Sequence, residues 1–354
     1  MRLPAEWEPH AATWLAWPHQ RSDWPGKFAP VPWLFVELAR LLSARERVRL
    51  LVANPAEAAR ARALLESGGA TLEAIDFVVA PTDRSWTRDS LPLFVTSARS
   101  GARGPGTVGA VKFRFDGWAR YPNHRRDDAA GELVAERFPR RWRPESRDAR
   151  GRRRRVVLEG GAIDGDGQGT LLATESCLLS GPFARNRDLG RTRTEAALRD
   201  FLGVRHVIWL EDGIAGDDTA GHVDDFARFV GPARVVVATE PRRRDPNHRP
   251  LARARERLQG ARDALGRRLE VIDLPMPEPV AFAGQRLPAS YANFYVANGV
   301  VLVPIFSDPS DRLALGRLAE VFAGREVIGF PCRDLVLGLG TLHCSTHEEP
   351  AARG

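Results

Sequence analysis

Residues 32–79 decide the fold class. Pro32-Trp33-Leu34-Phe35-Val36-Glu37-Leu38-Ala39-Arg40-Leu41-Leu42-Ser43-Ala44 carries apolar residues at helical spacing. It runs into Val48-Arg49-Leu50-Leu51-Val52, a short apolar run that reads as a buried strand. Residues 56–67, rich in Ala, Arg and Leu, predict the next helix, and Ile75-Asp76-Phe77-Val78-Val79 the next strand. The alternation continues to the end of the chain. Strand-like runs lie at 109–115, 156–158, 170–173, 206–210, 227–230, 234–238, 269–273, 294–297 and 300–304. Helical patterns lie at 126–137, 191–202, 250–266 and 310–322, the last entered through Asp308-Pro309-Ser310-Asp311. Alternating elements without a composition break or a polar linker predict an α/β architecture in a single domain, residues 1–354. The elements recur on a scale of roughly 55–70 residues without self-similarity in sequence, so spacing by itself does not establish a repeat fold.

Composition narrows the function. Of 354 residues, 43% are hydrophobic and nine are Trp, which argues for a well-buried core. No apolar run approaches the roughly 20 residues of a membrane span, and the opening Met1-Arg2-Leu3-Pro4-Ala5-Glu6-Trp7-Glu8-Pro9 has no signal-peptide pattern. Three cysteines do not make a disulfide framework, so a cytoplasmic protein is expected. The net charge of +7 raises nucleic-acid binding. Its arginines, however, cluster at 140–155 and 242–244, between apolar segments and among Pro, Gly, Ser and Asp. Only Trp142 interrupts the first cluster, which is no stacking platform for bases. These runs read as exposed connectors, and no nucleic-acid or membrane partner is expected.

The reactive residues are dispersed. Cys344 ends Leu337-Gly338-Leu339-Gly340-Thr341-Leu342-His343-Cys344, a glycine-punctuated apolar run in which the backbone can approach a ligand closely. Cys177, in Thr174-Glu175-Ser176-Cys177-Leu178-Leu179, reads as a small buried apolar residue, and Cys332, after Pro331, as a loop residue. His222 and Asp224 lie two positions apart in Gly221-His222-Val223-Asp224, and in an extended segment would share a face. They could also be metal ligands, but no second nearby His, Cys pair or His-Glu-x-x-His helix accompanies them, so neither metal nor cofactor is expected. Asp217 and Asp218 fit loop caps, and Asp218 is also a candidate for substrate binding. Asp89 follows Arg88 beside Trp86, and Glu159 ends a strand just before Gly160-Gly161. A planar guanidinium is best gripped by paired carboxylates through bidentate hydrogen bonds. One thiol, one imidazole and these acids are a complete set for hydrolysing it.

The chain resembles the agmatine deiminase family, which includes bacterial peptidylarginine deiminases. The resemblance runs from Pro4-Ala5-Glu6-Trp7-Glu8-Pro9-His10 and Trp14-Leu15-Ala16-Trp17-Pro18 through Trp86-Thr87-Arg88-Asp89 and Phe115-Asp116-Gly117-Trp118. It continues with Leu158-Glu159-Gly160-Gly161, Gly221-His222-Val223-Asp224, Pro288-Ala289-Ser290-Tyr291-Ala292-Asn293-Phe294-Tyr295 and His343-Cys344. It implies a five-bladed α/β propeller about a pseudo-fivefold axis, with the site in the central channel. It makes Cys344 the nucleophile and His222 the general acid/base. Asp89 and Asp224 would bind the guanidinium, Glu159 would contact it and support His222, and Trp86 would line the channel beside the aliphatic chain. The implied reaction is deimination of agmatine to N-carbamoylputrescine and ammonia, without cofactor or metal; a homodimer is compatible with it. Another guanidine (arginine, methylated arginine or peptidyl arginine) is the alternative within the class, and a non-catalytic binder of basic ligands the alternative outside it. Departures from the family pattern are Gly338-Leu339-Gly340, Thr346-His347-Glu348, Asp89-Ser90-Leu91-Pro92 and the arginine-rich segment at 140–155.

Overall fold

In a computed structural model of the chain, which describes residues 1–97 and 106–352, the helix Val31–Ser43 leads into strand Arg47–Val52, and the helix Pro55–Ser67 into strand Ile75–Val79. The second helix starts where its sequence requires, with Asn54 Oδ1 accepting from the Glu57 N–H and Pro55 at the first turn. These strands join a parallel ladder with His10–Ala16, and His347–Pro350 pairs antiparallel on the outer side of His10–Ala16. Both ends of the chain therefore meet in one sheet.

Four further sheets share one plan: an antiparallel hairpin, then a helix, then a strand parallel to the hairpin's second strand. They begin at Leu93, Ile163, Ala227 and Tyr295, a recurrence on the expected scale. Their crossover helices are Arg125–Glu136, Gly190–Leu202, His248–Gly260 and Ser310–Val321. The parallel partners are Arg141–Trp142, His206–Leu210, Glu270–Pro275 and Glu326–Pro331. Central strands such as Val300–Ile305 and Arg234–Thr239 are apolar because both faces are covered.

Several expectations are corrected. The run at 109–115 is a strand only over Thr107–Val111, and 156–158 contributes a single bridge, Val157 to Arg114. The helix expected to reach 266 ends at Gly260, and residues 261–266 form a turn that Asp263 organises, its carboxylate accepting from the N–H groups of Leu265 and Arg267. The arginine-rich 140–155 segment is not a plain connector. Glu145–Arg147 and Arg153–Arg155 form a hairpin, and Arg143, Arg152 and Arg153 pair with Glu132, Asp148 and Glu145. No helix among the described residues is long and apolar enough to cross a membrane.

Candidate active site

Cys344 and Asp89 sit on two four-residue helices, Leu342–Ser345 and Thr87–Ser90, which the structure ties together. Thr87 Oγ1 donates to the Ser345 carbonyl (2.9 Å) and Arg88 Nε to the His343 carbonyl (3.2 Å). Neither helix could persist alone at that length, so their side-chain and tertiary bonds hold them. Glu159 precedes a 3-10 turn, Gly160–Ala162, rather than ending a strand, and His222 precedes another, Val223–Asp225, rather than lying in an extended segment. The helical turn still brings His222 and Asp224 together, with Nδ1 4.0 Å from Asp224 Oδ1.

Cys344, His222, Asp89, Asp224 and Glu159 converge. His222 Nδ1 lies 3.9 Å from Asp89 Oδ1 and Nε2 lies 3.9 Å from Glu159 Oε2; Cys344 Sγ lies 3.9 Å from Asp224 Oδ2. Gly161 makes this possible, since a Cβ there would come within 2.6 Å of His222 Nδ1 and 2.9 Å of Asp89 Oδ1. Each carboxylate is held from behind. Asp89 accepts from Trp118 Nε1 (2.9 Å) and the Gly161 N–H (3.0 Å), and Glu159 from Arg185 Nε (2.9 Å). Asp224 Oδ2 faces His343 Nδ1 (2.6 Å), whose Nε2 faces Glu6 Oε2 (2.7 Å), and Glu6 is paired with Arg88 and Arg228. Asp224 Oδ1, Glu159 Oε2 and His222 Nε2 are buried without a hydrogen-bond partner.

These surroundings set the charges. Burial works against a charged His222, but Asp89 in the first place, then Cys177 and Glu159, outweigh it and hold the imidazole pKa well above its ordinary value. Burial would raise the Glu159 carboxyl, yet Arg185 and His222 override it and bring it down to about 2. Burial raises Asp89 despite His222. The Cys344 thiol is pushed well above the ordinary thiol range by burial and by Asp224, Asp225 and Asp89.

A cavity of about 490 Å³ opens onto Cys344 and Asp89. Trp86 lines it, packed on Trp24 with ring centroids 5.5 Å apart. Gly338 and Gly340 are needed for this packing: a Cβ at either would meet a tryptophan ring within 2.9 Å. The positive φ of the segment falls instead on Leu339. At the mouth, partly buried Asp218 accepts from the Tyr121 hydroxyl, Asp23 pairs with Arg84 (2.5 Å), and Arg84 stacks 4.5 Å from the centre of the Tyr121 ring. Asp217 is a loop cap, its carboxylate accepting from the N–H groups of Thr219 and Gly221.

Sequence reasoning missed the supporting residues Glu6, Arg185, Asn293 and His343, and the nearness of Cys177. Cys177 is indeed buried, but it does not stand among apolar groups only. It lies with Glu159 and His222 in one cluster of ligand-type atoms within 4.8 Å of one another, as do Asp224, Asp225 and Cys344. His222 thus has potential metal-ligand neighbours that its own sequence segment does not reveal. Glu6 and Asn293 lie inside segments noted above for their resemblance, which was the available signal. The departures at 347 and 348 turn out to be scaffold: His347 Nε2 faces the Pro92 carbonyl (2.8 Å) and Glu348 pairs with Arg88 (2.6 Å).

The mixed α/β architecture matches solved agmatine deiminases. The enzyme of Enterococcus faecalis superposes with a TM-score of 0.87 at 29% identity, covering 99% of this chain and 95% of that one. The agmatine deiminase of Pseudomonas aeruginosa (strain LESB58) is 36% identical over 371 residues, covering 99% of this chain and 96% of the relative. That of Ectopseudomonas mendocina (strain ymp) is 35% identical over 370 residues, with the same coverage. Residues 2–350 match the Porphyromonas-type peptidyl-arginine deiminase family, and the chain belongs to it.

Proposed function

We propose that this protein is a hydrolase that deiminates agmatine, giving N-carbamoylputrescine and ammonia through a covalent intermediate on Cys344. The observation that carries this reading is a pair of buried acceptor atoms without hydrogen-bond partners, Asp224 Oδ1 on the residue beside the thiol and Glu159 Oε2 on the residue beside His222. Buried carboxylate oxygens without partners are costly, and the N–H groups of a guanidinium would satisfy them while cancelling their charge. Asp89 and Asp224 hold the guanidinium, and Glu159 contacts it and supports His222. The bound cation also offsets the carboxylates that disfavour a thiolate, so substrate binding itself assists ionisation of Cys344.

As the cation binds, the Cys344 proton passes to solvent through the open cavity, and the thiolate adds to the central carbon, forming the S–C bond. His222, charged in this environment, gives its proton to the departing ammonia. The remaining thiouronium is attacked by a water that His222 deprotonates. Breaking the S–C bond then regenerates the thiolate, and the ureido product leaves after giving the proton of its new hydroxyl to the released ammonia. Trp86 lies along the aliphatic chain and Asp218 receives the terminal ammonium. Arg84, the basic residue at the mouth, has its charge matched by Asp23, which favours an amine tail over the carboxylate of arginine.

Five similar sheets and a chain closed end to end support a five-bladed propeller formed as one domain. Three free cysteines, one of them reactive, suit the reducing cytoplasm. The test is a panel of guanidino compounds assayed for ammonia and ureido product. Agmatine is expected to exceed arginine in kcat/KM by at least about a hundredfold. Comparable turnover of arginine would keep the chemistry and discard agmatine. Exhaustive chelation should leave activity intact, whereas loss restored by zinc would overturn the thiol mechanism.

A further inference from the structure

Asn293 stands where the nucleophile meets the carboxylates. Its Oδ1 accepts from Thr341 Oγ1 (2.7 Å), from the backbone N–H groups of His343 (3.1 Å) and Cys344 (3.4 Å) and, while the thiol keeps its proton, from Cys344 Sγ (3.5 Å). Its Nδ2 faces three acceptors: Asp225 Oδ1 (3.1 Å), Cys344 Sγ (3.2 Å) and Asp224 Oδ2 (3.3 Å). Only one orientation of the amide satisfies this. Flipping it would set an NH₂ group against two N–H donors and an oxygen against two carboxylates and the sulfur. The side chain is fully enclosed, at 1% exposure.

We propose that Asn293 is a catalytic residue of this site, its amide donating to the Cys344 sulfur to stabilise the thiolate and hold it beside Asp224. The need for such a donor is plain from what surrounds the sulfur. Asp224 and Asp225 face it from the turn 223–225 and Asp89 from the helix Thr87–Ser90. The nearest cationic candidates face elsewhere: His222 lies against Asp89 and Glu159, and His343, on the sulfur's own helix, is turned to Asp224 and Glu6. Burial and the three acids push the thiol up, and a backbone hydrogen bond from Thr341 works the other way. A neutral amide can favour the anion here without adding a charge that would repel a cationic substrate. It also couples nucleophile and guanidinium carboxylate, so the sulfur is aimed at the carbon that Asp224 helps to hold.

The proposal rests on Cys344 being the nucleophile, and its test is chosen to be separable from that reading. The substrate-free protein is alkylated with iodoacetamide across a pH series and modification at Cys344 is counted by mass spectrometry. Asn293→Ala is compared with the unaltered chain, with its melting temperature as a check of folding. Asn293→Ser, a small polar replacement that lacks the amide, serves if the alanine variant is unfolded. The expected result is a thiol titration displaced upward by about one pH unit, read as about tenfold slower alkylation at a fixed pH below it, with kcat for agmatine falling more than KM rises. A merely structural role would lower the melting temperature and leave the alkylation profile of the folded protein in place, and that outcome would overturn the proposal. Loss of folding in both variants would assign the residue to the scaffold and overturn it equally. Turnover by Cys344→Ser would sink the nucleophile reading while leaving the alkylation result of Asn293→Ala to stand for itself.

Discussion

At the inner end of the cavity each carboxylate is gripped by groups remote in sequence: Asp89 by Trp118 and Gly161, Glu159 by Arg185, Asp224 by His343 and through it Glu6. At the mouth the pairs are simpler. Asp218 meets one tyrosine hydroxyl, Asp23 one arginine, and the hairpin carrying Phe282 and Gln285 forms part of the rim with Phe282 exposed. The inner end is therefore preorganised, its charges fixed before substrate arrives, as stabilisation of a developing charge requires. The mouth is partly solvated and, on the proposed function, is the part that sets affinity and choice of tail. Changes at the inner end should act on kcat and be severe, while changes at the mouth should act on KM and be mild.

The largest expected effect tests the first half of that contrast. Cys344→Ala should lose at least about 10⁴-fold in kcat while still binding agmatine by calorimetry. Retention of more than a tenth of the activity would remove the covalent step. Next, Asp224→Asn and Asp89→Asn should each lower kcat/KM by at least about a hundredfold, because breaking one partner of a buried charge set costs about 3–5 kcal/mol. The Asp89 variant carries a second signature. Asp89 is the foremost group raising the His222 pKa, so its loss lets the imidazole give up its proton at lower pH. The alkaline limb of the kcat/KM profile should move toward acid in Asp89→Asn, and an unmoved limb would separate His222 from the proton transfer.

At the mouth, Asp218→Asn should raise KM for agmatine by about three- to tenfold with kcat within about twofold, since a partly solvated ionic contact is worth about 1 kcal/mol. A collapse of kcat there would erase the distinction between the two ends. The smallest effect lies outside the cavity. Arg153→Gln removes an exposed pair with Glu145 on the arginine-rich hairpin and should shift Tm by less than about 2 °C with unchanged kinetics. A change in turnover would give that segment a role in the site.

Helices and central strands were legible because burial imposes periodicity: the runs at 48–52, 75–79, 170–173 and 234–238 all became strands. His10–Ala16 and His347–Pro350 were not, although both are largely buried. Their pairing joins the two ends of the chain, and no local pattern announces it. The residue types at Cys344, His222, Asp89, Asp224 and Glu159 named a guanidine chemistry, but Glu159 and the 222–224 segment were read as strand-like where 3-10 turns stand, and the single turns carrying Asp89 and Cys344 were not read at all. Single helical turns, held by tertiary bonds such as Thr87 to Ser345, have too few residues to show a period.

By itself, then, the sequence determined the α/β class, the candidate reactive side chains and the family, since these depend on residue type, periodicity and local motif. The tertiary structure decided how those side chains are charged and supported. Burial and neighbouring charges set His222, Glu159 and Cys344 far from their ordinary states, and the groups responsible, among them Asp89 for His222, Arg185 for Glu159 and Asp224 for Cys344, are mostly far along the chain from the groups they act on, as are the supporting residues Glu6 and Asn293. Coulomb and desolvation energies depend on distance through space, which a linear order of residues does not encode until the chain has folded.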